Sequence, residues 1–404
     1  MYIAILGRQP ALGVGELEHL YGPDSVHWFS DQSATVNSTH FSLDTLGGTQ
    51  KAGRIIIELS HADWRRASMK IVQTYSKEWA AKTGKITLGI SAYGFEESSR
   101  DIQKTGIILK QKLKNSGISL RLIPNTEAAL SSATSHHNKL GSAPNKIELL
   151  ILRARNGRVI IAESIGTQNI TAYALRDQKR PKRDAFVGML PPKLAQIMIN
   201  LASPVTLPQT SDNQEPIRNN SKERPRLLDP FCGTGVVLQE AALMGYHVYG
   251  TDLADKMVEF SEANLKWLAE SHSTTVNVDL HQGDAMETKW QQPIDVVVCE
   301  SYLGQPFSAP PSPAKLMQVK DNCNHIISAF LKNIGAQIAP GTPLCIAIPA
   351  WRNYQGEFTH LPLTRQLDHL GFSQYKFNGV KPEDLLYYRE DQIVARELLV
   401  LIKS

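Results

Sequence analysis

The chain has 404 residues, enough for two or three folded domains, and its 42% hydrophobic and 20% charged residues make it ordinary globular material with ample length to bury cores. The net charge of +4 is compatible with nucleic acid without arguing for it. Cys232, Cys299, Cys323 and Cys345 form no C-x-x-C pair, so neither a zinc knuckle nor a disulfide framework is indicated, and Cys232 and Cys299, near expected strand ends, read as small apolar filler.

Taken in order, residues 2–7 read as a strand, too short for a signal peptide or a membrane span, so a cytoplasmic setting is the expectation. Residues 13–21 read as a short helix ending at Gly22, 26–36 as an extended region, and 54–59 as a strand after the turn-rich loop 46–51. Together residues 1–64 form a small α+β domain without a catalytic constellation. Residues 64–83 read as a helix and 86–91 as a strand. Residues 100–115 read as a basic amphipathic helix, with Ile102, Ile107, Leu109 and Leu113 apolar and Lys104, Lys110, Lys112 and Lys114 charged. Strands at 119–123, 147–152 and 158–162 complete a second α/β domain over 65–165. Its lysines suit either RNA contact or a solvated helix face. The pair His136-His137 falls in a polar loop where no metal is expected.

Residues 176–184 carry Arg176, Lys179, Arg180, Lys182 and Arg183 against only Asp177 and Asp184. Such a cluster can neutralise several phosphates; the other reading is an exposed interdomain linker. Pro191-Pro192 starts a helix through Leu201, since proline fits a first helical turn. Residues 166–202 are thus a basic linker plus helix. Residues 203–225, rich in Pro, Ser, Asn, Gln and charge, read as a flexible linker.

The last domain, 226–404, is organised around its opening. Leu227 and Leu228 end a short strand, Asp229 to Gly235 make a tight turn, and a helix follows from Val236. Strand, glycine turn and helix open a parallel nucleotide-binding sheet, whose ligands bind at the strands' carboxyl ends. Asp229 suits a cationic ligand better than a phosphate. A second strand, 247–251, ends in Asp252, 23 residues after Asp229, close to the roughly 20 expected for a carboxylate that grips ribose hydroxyls. A third, 276–280, leads to Gly283-Asp284-Ala285, and a fourth, 294–299, to Glu300-Ser-Tyr-Leu-Gly304. A stiff loop at 308–314, a helix at 315–338, a fifth strand at 343–349, a helix at 361–370 and a closing hairpin of 385–388 with 393–402 complete the pattern.

Asp229-Pro-Phe-Cys-Gly-Thr-Gly235, Gly250-Thr-Asp252 and Gly283-Asp-Ala285 resemble the S-adenosylmethionine site of class I methyltransferases. Asp-Pro-Phe is typical of those that methylate exocyclic amines. Residues 183–202 are similar to the segment before that site in the THUMP-containing tRNA guanosine N2-methyltransferases. Leu6-Gly-Arg-Gln-Pro-Ala-Leu12 and the Leu46-Gly-Gly-Thr49 loop also resemble that family's amino-terminal domain.

The resemblance implies an α/β, Rossmann-like seven-stranded sheet, a THUMP-like RNA-binding domain over 65–165, S-adenosyl-L-methionine as cofactor and no metal. It implies tRNA as partner and the N2 of a guanosine as target. Some relatives need a small activating protein partner, and that expectation carries over. Asp229, Phe231, Cys232, Gly233 and Gly235 would hold the methionine part, Asp252 and Leu253 the ribose side, and Asp284 and Ala285 the adenine. Met189, Leu190 and Lys193 would approach the methionine end, and Lys179, Arg180, Lys182 and Arg183 would meet RNA. The 385–402 hairpin resembles the sixth and seventh strands of the methyltransferase sheet.

Methylating an exocyclic amine requires acceptors for its N–H groups, which favour tetrahedral nitrogen and take the developing positive charge. In that family Asp/Asn-Pro-Pro-Tyr/Phe supplies them after the fourth strand, and the target base is usually taken out of its stack. Here Glu300-Ser301-Tyr302-Leu303-Gly304 stands instead: the charge is kept, a methylene is added, the stiffening prolines are gone and the ring comes one position early. Glu300 and Tyr302 are the catalytic candidates. The alternatives are a DNA adenine or cytosine amino-methyltransferase, which leaves the two amino-terminal domains unexplained, and a non-catalytic protein that binds cofactor and RNA.

Overall fold

The structure, a computed structural model, describes residues 1–184, 190–203 and 224–404. In chain order its first part runs β1 (Tyr2–Leu6), α1 (Pro10–Tyr21), β2 (Val26–Ser30), β3 (Ser33–Val36), β4 (Thr49–Leu59), α2 (Trp64–Glu78), β5 (Ile86–Tyr93), α3 (Ser99–Asn115), β6 (Leu120–Leu122), α4 (Ser132–His137), β7 (Lys146–Arg153), β8 (Val159–Thr167) and α5 (Ile170–Gln178). The chain separates into two units: residues 1–10, 24–44 and 49–172, and residues 11–23, 45–48 and 173–404.

In the first unit eight strands form one sheet in the order β2-β3-β1-β4-β8-β7-β5-β6. The border between α+β and THUMP-like halves, expected at residue 64, falls inside this sheet, because β4 pairs with β8 from Lys51–Thr167 to Leu59–Val159. Asp63 caps α2 through Arg66 N at 2.8 Å, and Ser98 caps α3 through Asp101 N. Both helices bury apolar stripes on the sheet: Ile71 and Tyr75 from α2, with Trp79 just past its end, and Ile102, Leu109 and Leu113 from α3, against Ile86, Leu88, Ile90, Leu149 and Ile151. Ile107, expected on that stripe, is 45% exposed. His136 and His137 end the short helix α4 rather than lying in a loop. Lys51 and Glu148 form a buried ion pair at 2.5 Å, completed by Leu130 O, Ser135 Oγ and Ser91 Oγ.

The second unit continues with α6 (Pro192–Leu201), β9 (Arg226–Asp229), α7 (Val236–Leu243), β10 (His247–Asp252), α8 (Asp255–His272), β11 (Val278–Gln282), β12 (Val296–Glu300), α9 (Pro313–Gly335), β13 (Pro343–Arg352), β14 (Phe358–Thr359), β15 (Phe372–Gln374), β16 (Leu386–Tyr387) and β17 (Val394–Lys403). The sheet order is β11-β10-β9-β12-β13-β17-β15. The first five strands of that order are parallel, and β17 is antiparallel to both its neighbours. The near-continuous apolar run of β12, Val296-Val-Val-Cys299, is what a strand covered on both faces requires. The strand order reverses between β9 and β12, and a crevice at such a switch point is where these sheets bind ligands.

Two expectations are corrected. The helix expected over 361–370 is two short 3-10 turns, Pro362–Arg365 and Asp368–Leu370, the second ended by Gly371 at φ 80°. The closing hairpin forms, with β16 antiparallel to β17, but it shares the place of the sixth strand with an earlier segment. The three-residue β15 occupies one end of β17's outer edge, through Phe372–Lys403, and β16 occupies the other, through Leu386–Glu397.

Helix α1 holds three buried polar residues, each with a partner in this unit. Glu16 accepts from Gly47 N, Gly48 N and Asn200 Nδ2 at 2.9, 2.8 and 2.7 Å. Glu18 accepts from Asn378 N and Gly379 N at 2.9 and 2.6 Å, and His19 Nε2 donates to Ser203 O at 2.7 Å. A Cβ on Gly47 would stand 2.2 Å from Lys193 O, so the Gly-Gly loop lies directly against α6. Burial pushes the Glu16 carboxyl up to about 7.

Candidate active site

The turn after β9 is held by its neighbours more than by itself. Gly233 and Gly235 take φ of 52° and 77°, a region glycine enters without a Cβ penalty. From α8, Ser261 Oγ donates to Gly233 O at 2.8 Å and Asn264 Nδ2 to Thr234 O at 2.8 Å. A Cβ on Gly235 would come within 2.9 Å of Ser261 Oγ, so the glycine also lets α7 and α8 close. Sequence reading missed Ser261 and Asn264; their place on one helical face, three residues apart and after Asp252, was the available signal.

Asp229 is 2% exposed at the end of β9, with Phe231 N donating to its carboxylate at 3.1 Å. Burial pushes its carboxyl well above the usual range, and the nearby Asp252 and Glu300 carboxylates push it the same way. Such a group is a receptor for positive charge. Asp252 accepts from Gly233 N and Ala254 N, both at 2.9 Å, leaving further lone pairs for hydroxyl donors. Leu253 beside it is 68% exposed. At the next strand end Gly283 N donates to Asp252 O at 2.9 Å, Asp284 accepts from Met286 N at 2.9 Å, and Ala285 is buried. The expected carboxylates Asp229, Asp252 and Asp284 therefore stand at three successive strand ends.

Cys232 and Phe231 also have partners within the fold. Cys232 is buried, its N–H donates to Thr251 O at 2.9 Å, and burial pushes its thiol well up. Phe231 packs edge-on against Phe330, ring centroids 5.2 Å apart. Leu190 is buried, and Lys193 Nζ lies 5.1 Å from the Tyr173 ring. Met189 and most of the linker expected at 203–225 lie outside the described residues.

Across the switch point, Glu300 ends β12. Ser301, standing where a proline was expected, donates both its N–H and its Oγ to Ala347 O at 3.0 and 2.9 Å. Gly304 takes φ 79° and packs so closely on α9 that a Cβ would stand 2.8 Å from Val319. Hydrogen bonds and packing thus fix this loop in place of prolines. Tyr302 is 42% exposed, its ring free to meet a planar ligand. Arg396, which sequence reading did not single out, donates from Nε to Glu300 Oε1.

The basic stretch divides into two groups. Lys179, Lys182 and Arg183 are exposed. Arg180 is not: it is 3% exposed, with Asp177 at 4.0 Å, which removes it from the surface set. Arg176 is bidentate to buried Glu240 at 2.6 and 3.0 Å. Asn264 holds the Lys182 backbone through N and O, both at 2.9 Å, and so ties this stretch to the glycine turn. Lys182 and Lys256 both lie over the Phe260 ring, at 5.2 and 5.1 Å. Among the described residues no His/Cys/Asp/Glu group could hold a metal ion, and no helix is long and apolar enough to cross a membrane.

Residues 221–353 match the model of a methyltransferase domain. The chain is 29% identical over 175 residues to the tRNA (guanine(10)-N2)-dimethyltransferase of Methanothermobacter thermautotrophicus, covering 43% of each. It is 37% identical over 93 residues to the enzyme of the same name from Pyrococcus abyssi, covering 22% of each. The match thus spans less than half the length of these curated relatives. In structure the chain is similar to TrmN from Thermus thermophilus, with a TM-score of 0.50 at 14% identity over 100% of this chain and 99% of that one. The methyltransferase-domain match lies within the second unit, whose sheet has the Rossmann-like strand order of the class I methyltransferase fold. Parts of the chain are similar in sequence to tRNA (guanine(10)-N2)-dimethyltransferases.

Proposed function

We propose that the chain transfers a methyl group from S-adenosylmethionine to the exocyclic N2 of a guanosine in tRNA. One observation carries this reading: the Asp252 and Glu300 carboxylates both lie near Asp229 at the switch point, beside a glycine turn of positive φ. An acidic cluster of that kind, with Asp229 buried and Asp252 and Glu300 partly exposed, suits a cationic ligand and an amine that gains positive charge as it reacts. The cofactor, when bound, supplies the electrophilic methyl. Asp229 and the Gly233–Gly235 backbone would hold its methionine end, Asp252 and Leu253 its ribose, and Asp284 and Ala285 its adenine. Glu300 would accept from the target amine, and the exposed Tyr302 ring would stack on the base.

The sequence likeness to tRNA (guanine(10)-N2)-dimethyltransferases supports the substrate. Exposed Lys179, Lys182 and Arg183 support contact with an RNA backbone beside the site, and residues 65–165 are the proposed THUMP-like RNA-binding portion. The test is tritiated methyl transfer to unmodified tRNA, with the product nucleoside identified and Glu300→Gln run alongside. A methylguanosine lost in the variant is the expected result. A methylated adenosine or cytidine would overturn the substrate, and cofactor binding without transfer to any RNA would overturn the reaction. Transfer seen only after a cell fraction is added would bring in the small activating partner that the family resemblance implies.

A further inference from the structure

We propose that Arg396 is a positioning residue for this reaction, clamping one carboxylate oxygen of Glu300 so that the other faces the target amine. The inference rests on the reading of the site as an amino-methyltransferase. Glu300 pairs with Ala347, and Ala347 with Leu398, so these three side chains share one face of the sheet. Arg396 lies two residues from Leu398, opposite Pro349, and shares that face. Its guanidinium reaches Glu300 across β13, on the face that carries Ala347. The pair is mostly buried, with side chains 9% and 16% exposed.

Three features make the pair more than a fold contact. Glutamate has one more torsion than aspartate, and the loop bonds of Ser301 and Gly304 fix the backbone without fixing that side chain. The Nε–H of a planar guanidinium donates in a fixed direction to one carboxylate oxygen, as a freely rotating ammonium does not. Glu300 also lies close to the Asp229 carboxylate, and Arg396 supplies the opposite charge. Buried ion pairs are weak sources of stability, since apolar residues of similar volume do as well. A charge kept here therefore points to use at the site.

The experiment compares Arg396→Ala, Arg396→Lys and Glu300→Asp in methyl transfer to tRNA, with cofactor affinity and thermal midpoint measured on each. Arg396→Ala should lower kcat by about 10- to 100-fold, the worth of a charge-assisted hydrogen bond, with cofactor Kd unchanged. Millimolar guanidinium should restore part of it, and Arg396→Lys should fall between. Glu300→Asp, which keeps the charge but shortens the reach to Arg396, should also lose kcat. Full kcat in Arg396→Ala would overturn the proposal. So would a loss that tracks a fallen midpoint and answers to neither guanidinium nor lysine. Cofactor binding by the unaltered chain with no transfer to any RNA would instead refute the amino-methyltransferase reading, and this role with it.

Discussion

Gly235→Ala probes the cofactor turn where it is most tightly built. Gly235 sits at φ 77° and ψ 28°, where a Cβ costs about 1–2 kcal/mol. That Cβ would also stand 2.9 Å from Ser261 Oγ and 3.2 Å from the Ser261 backbone. The hydroxyl can rotate away only by giving up its 2.8 Å bond to Gly233 O, a loss of about 0.5–1.5 kcal/mol. The α8 backbone cannot rotate, and crowding a packed helix costs about 1–3 kcal/mol more. The expected destabilisation is about 3–6 kcal/mol, a large share of a typical domain's stability of about 5–15 kcal/mol. Urea denaturation measures it. Titration calorimetry with S-adenosylmethionine should show affinity reduced at least about tenfold, because Gly233 N and Asp252 move with the turn. Gly235→Ala/Ser261→Ala removes the hydroxyl but leaves the α8 backbone where it is, so it should recover only part of the loss. A Gly235→Ala protein within about 0.5 kcal/mol of the parent, with unchanged affinity, would refute the steric account.

Four further outcomes are expected. The Glu16 carboxyl is raised from 4.5 to about 7 in the folded chain, so its contribution is fully present below pH 4.5 and is lost as pH rises through about 7. Urea midpoints should therefore fall over that window, and less steeply in Glu16→Gln. Lys51→Met strands Glu148 in the first unit's core and should cost about 3–5 kcal/mol in urea denaturation, most of it regained in Lys51→Met/Glu148→Leu. Asp229→Asn relieves a buried charge, so the thermal midpoint should hold or rise while cofactor affinity falls about 10- to 100-fold by calorimetry. Lys182→Ala/Arg183→Ala should weaken RNA binding and flatten its dependence on log[salt] by about 1–2, whereas Arg180→Ala should lower stability and leave that slope unchanged.

What the sequence revealed of the fold and site was what is local in the chain. Asp229, Gly233, Gly235, Asp252 and Asp284 stand within strand–turn–helix units whose apolar periodicity and glycines are written in consecutive residues. The bracing of the same site is not local. Ser261 and Asn264 reach the turn from across α8, and Arg396 meets Glu300 across a strand 96 residues away, so no short pattern marks them. Arg180 looked like its cationic neighbours because burial is set by packing, not by charge order. The strand β15, Phe372-Ser-Gln374, is too short to show alternation, and the apolar residues of 361–370 suggested a helix that a proline at its start and Gly371 at its end cut into single turns. Glu300-Ser-Tyr-Leu-Gly304 looked loose for want of prolines, yet Ser301's hydrogen bonds to Ala347 hold it.

The second unit draws on three separated stretches of the chain, 11–23, 45–48 and 173–404. A gene cut at residue 225, where composition places a linker, would leave α1 and α6 behind. Glu16 and Asn200 would go with them, along with the glycine pair they hold, and α7 would lose its covering helix. The second unit therefore cannot be excised as a contiguous piece. An amino-terminal deletion reaching α1 is a lesion of the second unit itself. Loss of methyl transfer in such a truncation would say nothing about whether the first unit recognises RNA. Separating the two activities calls for point substitutions on the first unit's surface, or for a permuted gene that restores residues 11–48 to the fragment that needs them.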